Sequence, residues 1–149
     1  MDIVKGMYFL KELLKDDVYV IVENKRYPLL VLVEDTKSPF LEEKNEELLE
    51  KILQSVGIKV PETRLLNTAH LLPEDSFDSF QELPSKRVLS FGVDLKTLGL
   101  NLSLKKYELK TQDNITFLLA DTLPEIATDK EMKKKLWQGL KQLFFEHFQ

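Results

Sequence analysis

The chain has 149 residues, 43% of them hydrophobic, with 21 basic and 25 acidic side chains, a formal net charge of −4 and no cysteine. That length suits one domain able to bury its own core, and the composition is that of a stably folded globular protein. Lack of cysteine excludes disulfides, a thiolate nucleophile and thiolate-ligated zinc, and the acidic balance gives no long-range attraction for nucleic-acid phosphates.

Residues 1–26 read as an N-terminal segment preceding a single α/β domain over 27–149. Met7, Tyr8, Phe9, Leu10, Leu13 and Leu14 place six large apolar residues in eight positions, more than one amphipathic stripe needs. Two readings stand: this segment and Val18–Val22 cover or extend the sheet, or it is a docking peptide. Its opening residues lack the basic start and apolar stretch of a signal peptide, and no apolar run approaches the roughly 20 residues of a membrane span, so a cytoplasmic protein is expected.

Tyr27–Val33 is an apolar run of strand length that delivers the polar loop Glu34–Lys37. Ser38 and Pro39 look like a cap and first-turn proline for a helix carrying Leu48, Leu49, Ile52, Leu53 and Val56, with Gly57 as its left-handed stop. Thr63–Asn67 is a shorter strand, and Pro73–Pro84 an excursion or weak helix. Arg87–Val93 resumes a buried strand, after which Asp94 caps a short helix that Gly99 ends.

Lys105–Thr111 mixes charged and apolar residues, and Asp113-Asn114 turns it into the apolar strand Ile115–Ala120, with which it is placed to pair. The last helix shows Thr128 and Glu131 at capping-box spacing. Its apolar stripe runs through Met132, Leu136, Leu140, Leu143 and Phe144 and is widened by Trp137. Strands alternating with amphipathic helices predict a three-layer α/β/α sandwich with a mostly parallel sheet. Leu29–Val33, Val88–Phe91 and Thr116–Ala120 are its expected centre, with Trp137 and Leu140 facing the core.

Catalytic groups are sparse. His147 lies near the C-terminus, and His70 follows a strand's expected end, so neither marks a built site. Glu34, Asp35 and Asp121 follow strands and could hold magnesium only if their loops converge; helix capping or solvent contact explains them as well. Gly92 and Gly99 are isolated and make no phosphate loop, and Lys133-Lys134-Lys135 reads as a solvated helix face beside Asp129 and Glu131. No catalytic residue, cofactor, metal or specific nucleic-acid contact is expected.

Strand Leu29–Val33 with its loop, the helix through Val56, the segment Leu119–Ala127, and Asp129–Trp137 together resemble the psi subunit family of bacterial DNA polymerase III. The resemblance implies the fold of the uracil-DNA glycosylases. It sets Val33–Phe40, which has no glycine, where those enzymes carry a glycine-rich water-positioning loop. It also sets Thr122-Leu123-Pro124-Glu125 where they carry a His-Pro-Ser motif, putting leucine in place of the hydrogen-bond donor. Asp35, Ser38, Pro39, Asp121, Thr122, Leu123 and Pro124 would then line a vestigial pocket. The resemblance further implies a non-catalytic adaptor in DNA replication that binds the clamp-loader ATPase subunit (gamma/tau) through Tyr8, Phe9, Leu10, Leu13 and Leu14, with a chi-like subunit as a further partner. The rival reading is a diverged glycosylase-like or other nucleic-acid hydrolase using Asp35 and Asp121.

Overall fold

The computed structural model describes residues 27–38, 41–71 and 76–146. The expected docking residues between Tyr8 and Leu14, the Val18–Val22 stretch, Pro39 and His147 lie outside the described residues.

Leu30–Val33 forms β1, Arg64–Asn67 β2, Arg87–Phe91 β3, Lys110–Gln112 β4 and Ile115–Ala120 β5. They make one sheet in the order β2-β1-β3-β5-β4. The first four in that order run parallel: Leu30 lies opposite both Arg64 and Val88, and Leu89 opposite Leu118. β4 is antiparallel to β5, joined by Asp113 and Asn114 at φ 53° and 67°. Two consecutive left-handed residues match the right-handed twist of a tight hairpin, and Asn and Asp tolerate that conformation.

Because side chains alternate along a strand, β1 feeds two cores. On one face Leu29, Val31 and Val33 join Leu49 and Leu53 of helix α1 (Glu43–Gln54), Ile126 of α2 (Leu123–Ala127), and Leu136 and Leu140 of α3 (Lys130–Lys141). On the other, Leu30, Leu32, Val88 and Phe117 meet Leu83, Leu95, Leu98 and Leu100. The expected central strands are covered on both faces, with only Leu119 half-buried within them. Among the described residues, however, the second cover is not α-helical. It consists of the 3-10 turns Phe80–Glu82 and Leu95–Leu98 with adjoining loops, and Phe80 stands edge-on to Phe117 at 5.9 Å.

Several boundaries differ from expectation. α1 begins at Glu43 behind Glu42, beyond Ser38 and Pro39. Only Lys110–Gln112 of the expected 105–111 strand pairs as β4. Lys106 makes a single bridge to Leu119, and Tyr107 at φ 63° turns the chain out of extended geometry. Asp129, not Thr128, caps α3, its Oδ1 accepting from the Glu131 and Met132 N–H groups at 2.9 and 3.1 Å, while Thr128 closes α2. Leu143 and Phe144 lie in a π-helical turn, Gln142–Glu146, beyond the α-helix.

Trp137 requires a correction. Leu140 is core-facing as expected, but Trp137 is 42% exposed and lines a surface cavity. One residue advances a helix by about 100°, so the neighbour of buried Leu136 is carried past the edge of the core stripe.

Candidate functional site

In an open parallel sheet, ligands bind outside the carboxyl ends of the strands where the connections diverge. β1 lies between β2 and β3, so this position is the loop after β1 beside the loop after β3.

The loop after β1 is locked by two side chains. Asp35 is buried; its Oδ1 accepts from the Lys37 N–H at 2.9 Å and its Oδ2 from the Glu42 N–H at 2.7 Å, at the entrance to α1. Asn67, at the end of β2, accepts through Oδ1 from the Asp35 and Ala69 N–H groups. Its Nδ2 donates to the carbonyls of Asp35 and Ser38, both at 2.9 Å. Asp35 and Ser38 are therefore drawn together by Asn67, a residue that sequence reasoning does not single out. Its signal is a polar amide closing a strand, a position where side chains commonly replace backbone partners.

After β3, buried Ser90 donates through Oγ to the Val93 carbonyl at 2.7 Å and accepts from the Val93 N–H at 3.0 Å. Gly92 sits at φ 77°, and a Cβ there would lie 2.7 Å from Cγ2 of Thr122, so the loops after β3 and β5 close against one another. A cavity of about 240 Å³ remains beside them, with Asp94, Ser103 and Lys106 among its polar walls.

Asp121 follows β5 and is also buried. The Lys106 ammonium donates to its Oδ1 at 2.5 Å and the Tyr107 hydroxyl to its Oδ2 at 2.6 Å; the Asp121 N–H returns a bond to that hydroxyl at 3.2 Å. Burial pushes the carboxyl's pKa up, but the bonds from Lys106 and Tyr107 outweigh it and hold Asp121 below the usual carboxylate value. Lys106 is raised in turn by that bond, and Tyr107 is raised by burial and by the same carboxylate.

Thr122 begins α2 with a capping box: its N–H and Oγ1 both donate to Oε1 of Glu125, at 3.1 and 2.7 Å, which lowers the Glu125 pKa. Leu123 points into the core with 2% exposure, and Pro124 is exposed in the first turn.

Asp35 and Asp121 are not brought to a common centre. β3 stands between their strands, a separation of two strand spacings or roughly 10 Å; Asp35 braces the loop after β1, and Asp121 is held by Lys106 and Tyr107 from the loop before β4. His70 is exposed after β2. Among the described residues no group of three His, Asp or Glu side chains is arranged to hold a metal, and no buried side-chain nitrogen or oxygen lacks a partner. Nor, among them, is any helix long and apolar enough to cross a membrane.

The fold and site define an α/β protein with a mostly parallel five-stranded sheet whose switch-point loops are braced by their own polar side chains. Comparison with models of known families, with curated proteins and with solved structures found no match.

Proposed function

We propose that this protein is a non-catalytic accessory subunit of a bacterial DNA polymerase III clamp loader, a cytoplasmic protein–protein adaptor of the psi type on a uracil-DNA glycosylase-like scaffold. The observation that carries the reading is the fate of Leu123. The psi resemblance sets this residue where a glycosylase needs a hydrogen-bond donor facing the base, and here it is an apolar side chain turned into the core. The order of the four parallel strands and the double cover of the sheet are compatible with that scaffold.

Burial of Asp35 and Asp121 in separate loop braces supports the adaptor over the hydrolase reading, since a general base or metal ligand must be within reach of its substrate or ion. The adaptor's contact with the ATPase subunit is assigned to Tyr8, Phe9, Leu10, Leu13 and Leu14, with a chi-like protein as the second partner.

The test is titration of the purified protein with the clamp-loader ATPase subunit of the same organism. Saturable binding that is lost on deleting residues 1–15, with the thermal midpoint nearly unchanged, is the expected result. Absence of binding, or binding retained after the deletion, overturns the proposal.

A further inference from the structure

α1 and α3 lie side by side over the same face of the sheet, and a surface cavity of about 280 Å³ remains between them. Leu48 and Ile52 of α1, Ile126 of α2, and Leu136, Trp137 and Leu140 of α3 form its apolar wall. Trp137 is the chain's only tryptophan and is 42% exposed there. An indole of that exposure keeps a large apolar face open to solvent, and aromatic anchors in apolar grooves dominate the energy of protein contacts.

The charges on this groove all have one sign. Lys51 enters from α1 and Lys133 from α3, no acidic residue lines the cavity, and neither lysine has an ion-pair partner among the described residues. A complementary occupant therefore presents apolar side chains in the middle and carboxylates toward both helices. Each flanking helix has 12 residues, a length of about 18 Å, which fits roughly three turns of a bound helix.

From this we infer that the α1–α3 groove is a docking site for an acidic amphipathic helix of a partner protein. The groove offers the partner helix a hydrophobic seat and two electrostatic guides, one on each bank. A second copy of this chain fits poorly. In an isologous contact the groove of each copy would bring its own Lys51 and Lys133 to the seam, so like charges would meet there. Residues 1–17 carry three lysines against four acids, so they lack the one-signed charge that the groove selects. The inference is independent of the clamp-loader reading, because it concerns a surface built from residues 48–140 and a different test.

The sole tryptophan makes the groove directly observable. The probes are two synthetic helical peptides of about 12 residues, the length of the flanking helices. They lack Trp and Tyr, and they share one leucine stripe flanked by Glu in one and by Lys in the other. With the full chain, the Glu peptide should shift Trp137 emission to the blue, saturably and at least tenfold more tightly than the Lys peptide, and added salt should weaken it. The exposed double substitution Lys51→Glu with Lys133→Glu should reverse the preference while leaving the circular dichroism and melting point unchanged. Equal binding of both peptides, no saturable shift, or an unreversed preference in the folded variant would overturn the inference. So would a protein-concentration-dependent shift without peptide accompanied by dimer in sedimentation, which assigns the groove to a second copy. A shift produced simply by deleting residues 1–15 would assign it to the chain's own N-terminus.

Discussion

The hydroxyl of Tyr107 donates to Oδ2 of Asp121 at 2.6 Å and at the same time accepts from that residue's backbone N–H at 3.2 Å. One phenol thus satisfies both polar ends of a buried residue, and with Lys106 it ties the loop before β4 to the end of β5.

Removing that hydroxyl by Tyr107→Phe should cost about 1–3 kcal/mol, because the Asp121 N–H and carboxylate each lose a buried partner. Denaturant unfolding measures it.

The same cluster sets an acid dependence. Asp121 has a lower pKa folded than unfolded, so its contribution is complete above the unfolded carboxylate value of about 3.9 and is lost as pH falls through the folded value. Lys106 is raised, so its share is present below about 10.4 and is lost as pH rises through its folded value. Asp121→Asn should lower the melting point at neutral pH and flatten its decline in acid. An acid limb parallel to that of the unsubstituted protein would show that another carboxylate controls it.

Leu140 and Trp137 lie on the same helix but in different environments, with 1% and 42% exposure. Leu140→Ala should cost about 2–5 kcal/mol through a buried cavity. Trp137→Ala should cost well under that, and urea midpoints compared at equal slope separate the two.

Gly92→Ala combines a left-handed φ of 77° with a Cβ 2.7 Å from Thr122 Cγ2. Conformation alone should cost about 1–2 kcal/mol. Adding Thr122→Ser, which removes the opposing methyl and keeps the capping hydroxyl, should restore the steric part and leave the conformational part, as a double-mutant cycle of stabilities would read out.

Uracil release from single- or double-stranded DNA should not exceed a no-protein control. Leu123→His should not create it, since the new imidazole enters the core and should destabilise the fold by about 1–3 kcal/mol. Turnover that vanishes on changing Asp35 or Asp121 would reinstate the hydrolase reading.

The range of each interaction decides whether sequence reveals it. The strands at Val31, Leu89 and Leu118 are apolar on both faces and announce themselves as continuous runs, and the Asp113-Asn114 hairpin is encoded by its own two residues. Asp94 caps the turn at Leu95 through the Lys96 N–H, as local spacing implies. Trp137 departs from expectation because composition cannot tell the edge of a helical stripe from its centre. The Thr122–Glu125 box carries the same pattern as Thr128 and Glu131, yet only the former is formed, since Asp129 offers α3 a nearer cap. The brace from Asn67 to Asp35 and the Tyr107–Asp121 pair join residues on separate strands and loops, and no periodicity records such meetings.

The ladder at the middle of the sheet joins Leu30 to Val88, whereas Gln112 meets Ile115 across a two-residue turn. Closing a long chain segment costs entropy before the paired strands return any of it, while a hairpin closes almost at once. The centre of this molecule, though its most deeply buried part, therefore carries the largest closure cost among the ladders, with Leu30 and Val88 standing 58 positions apart along the chain.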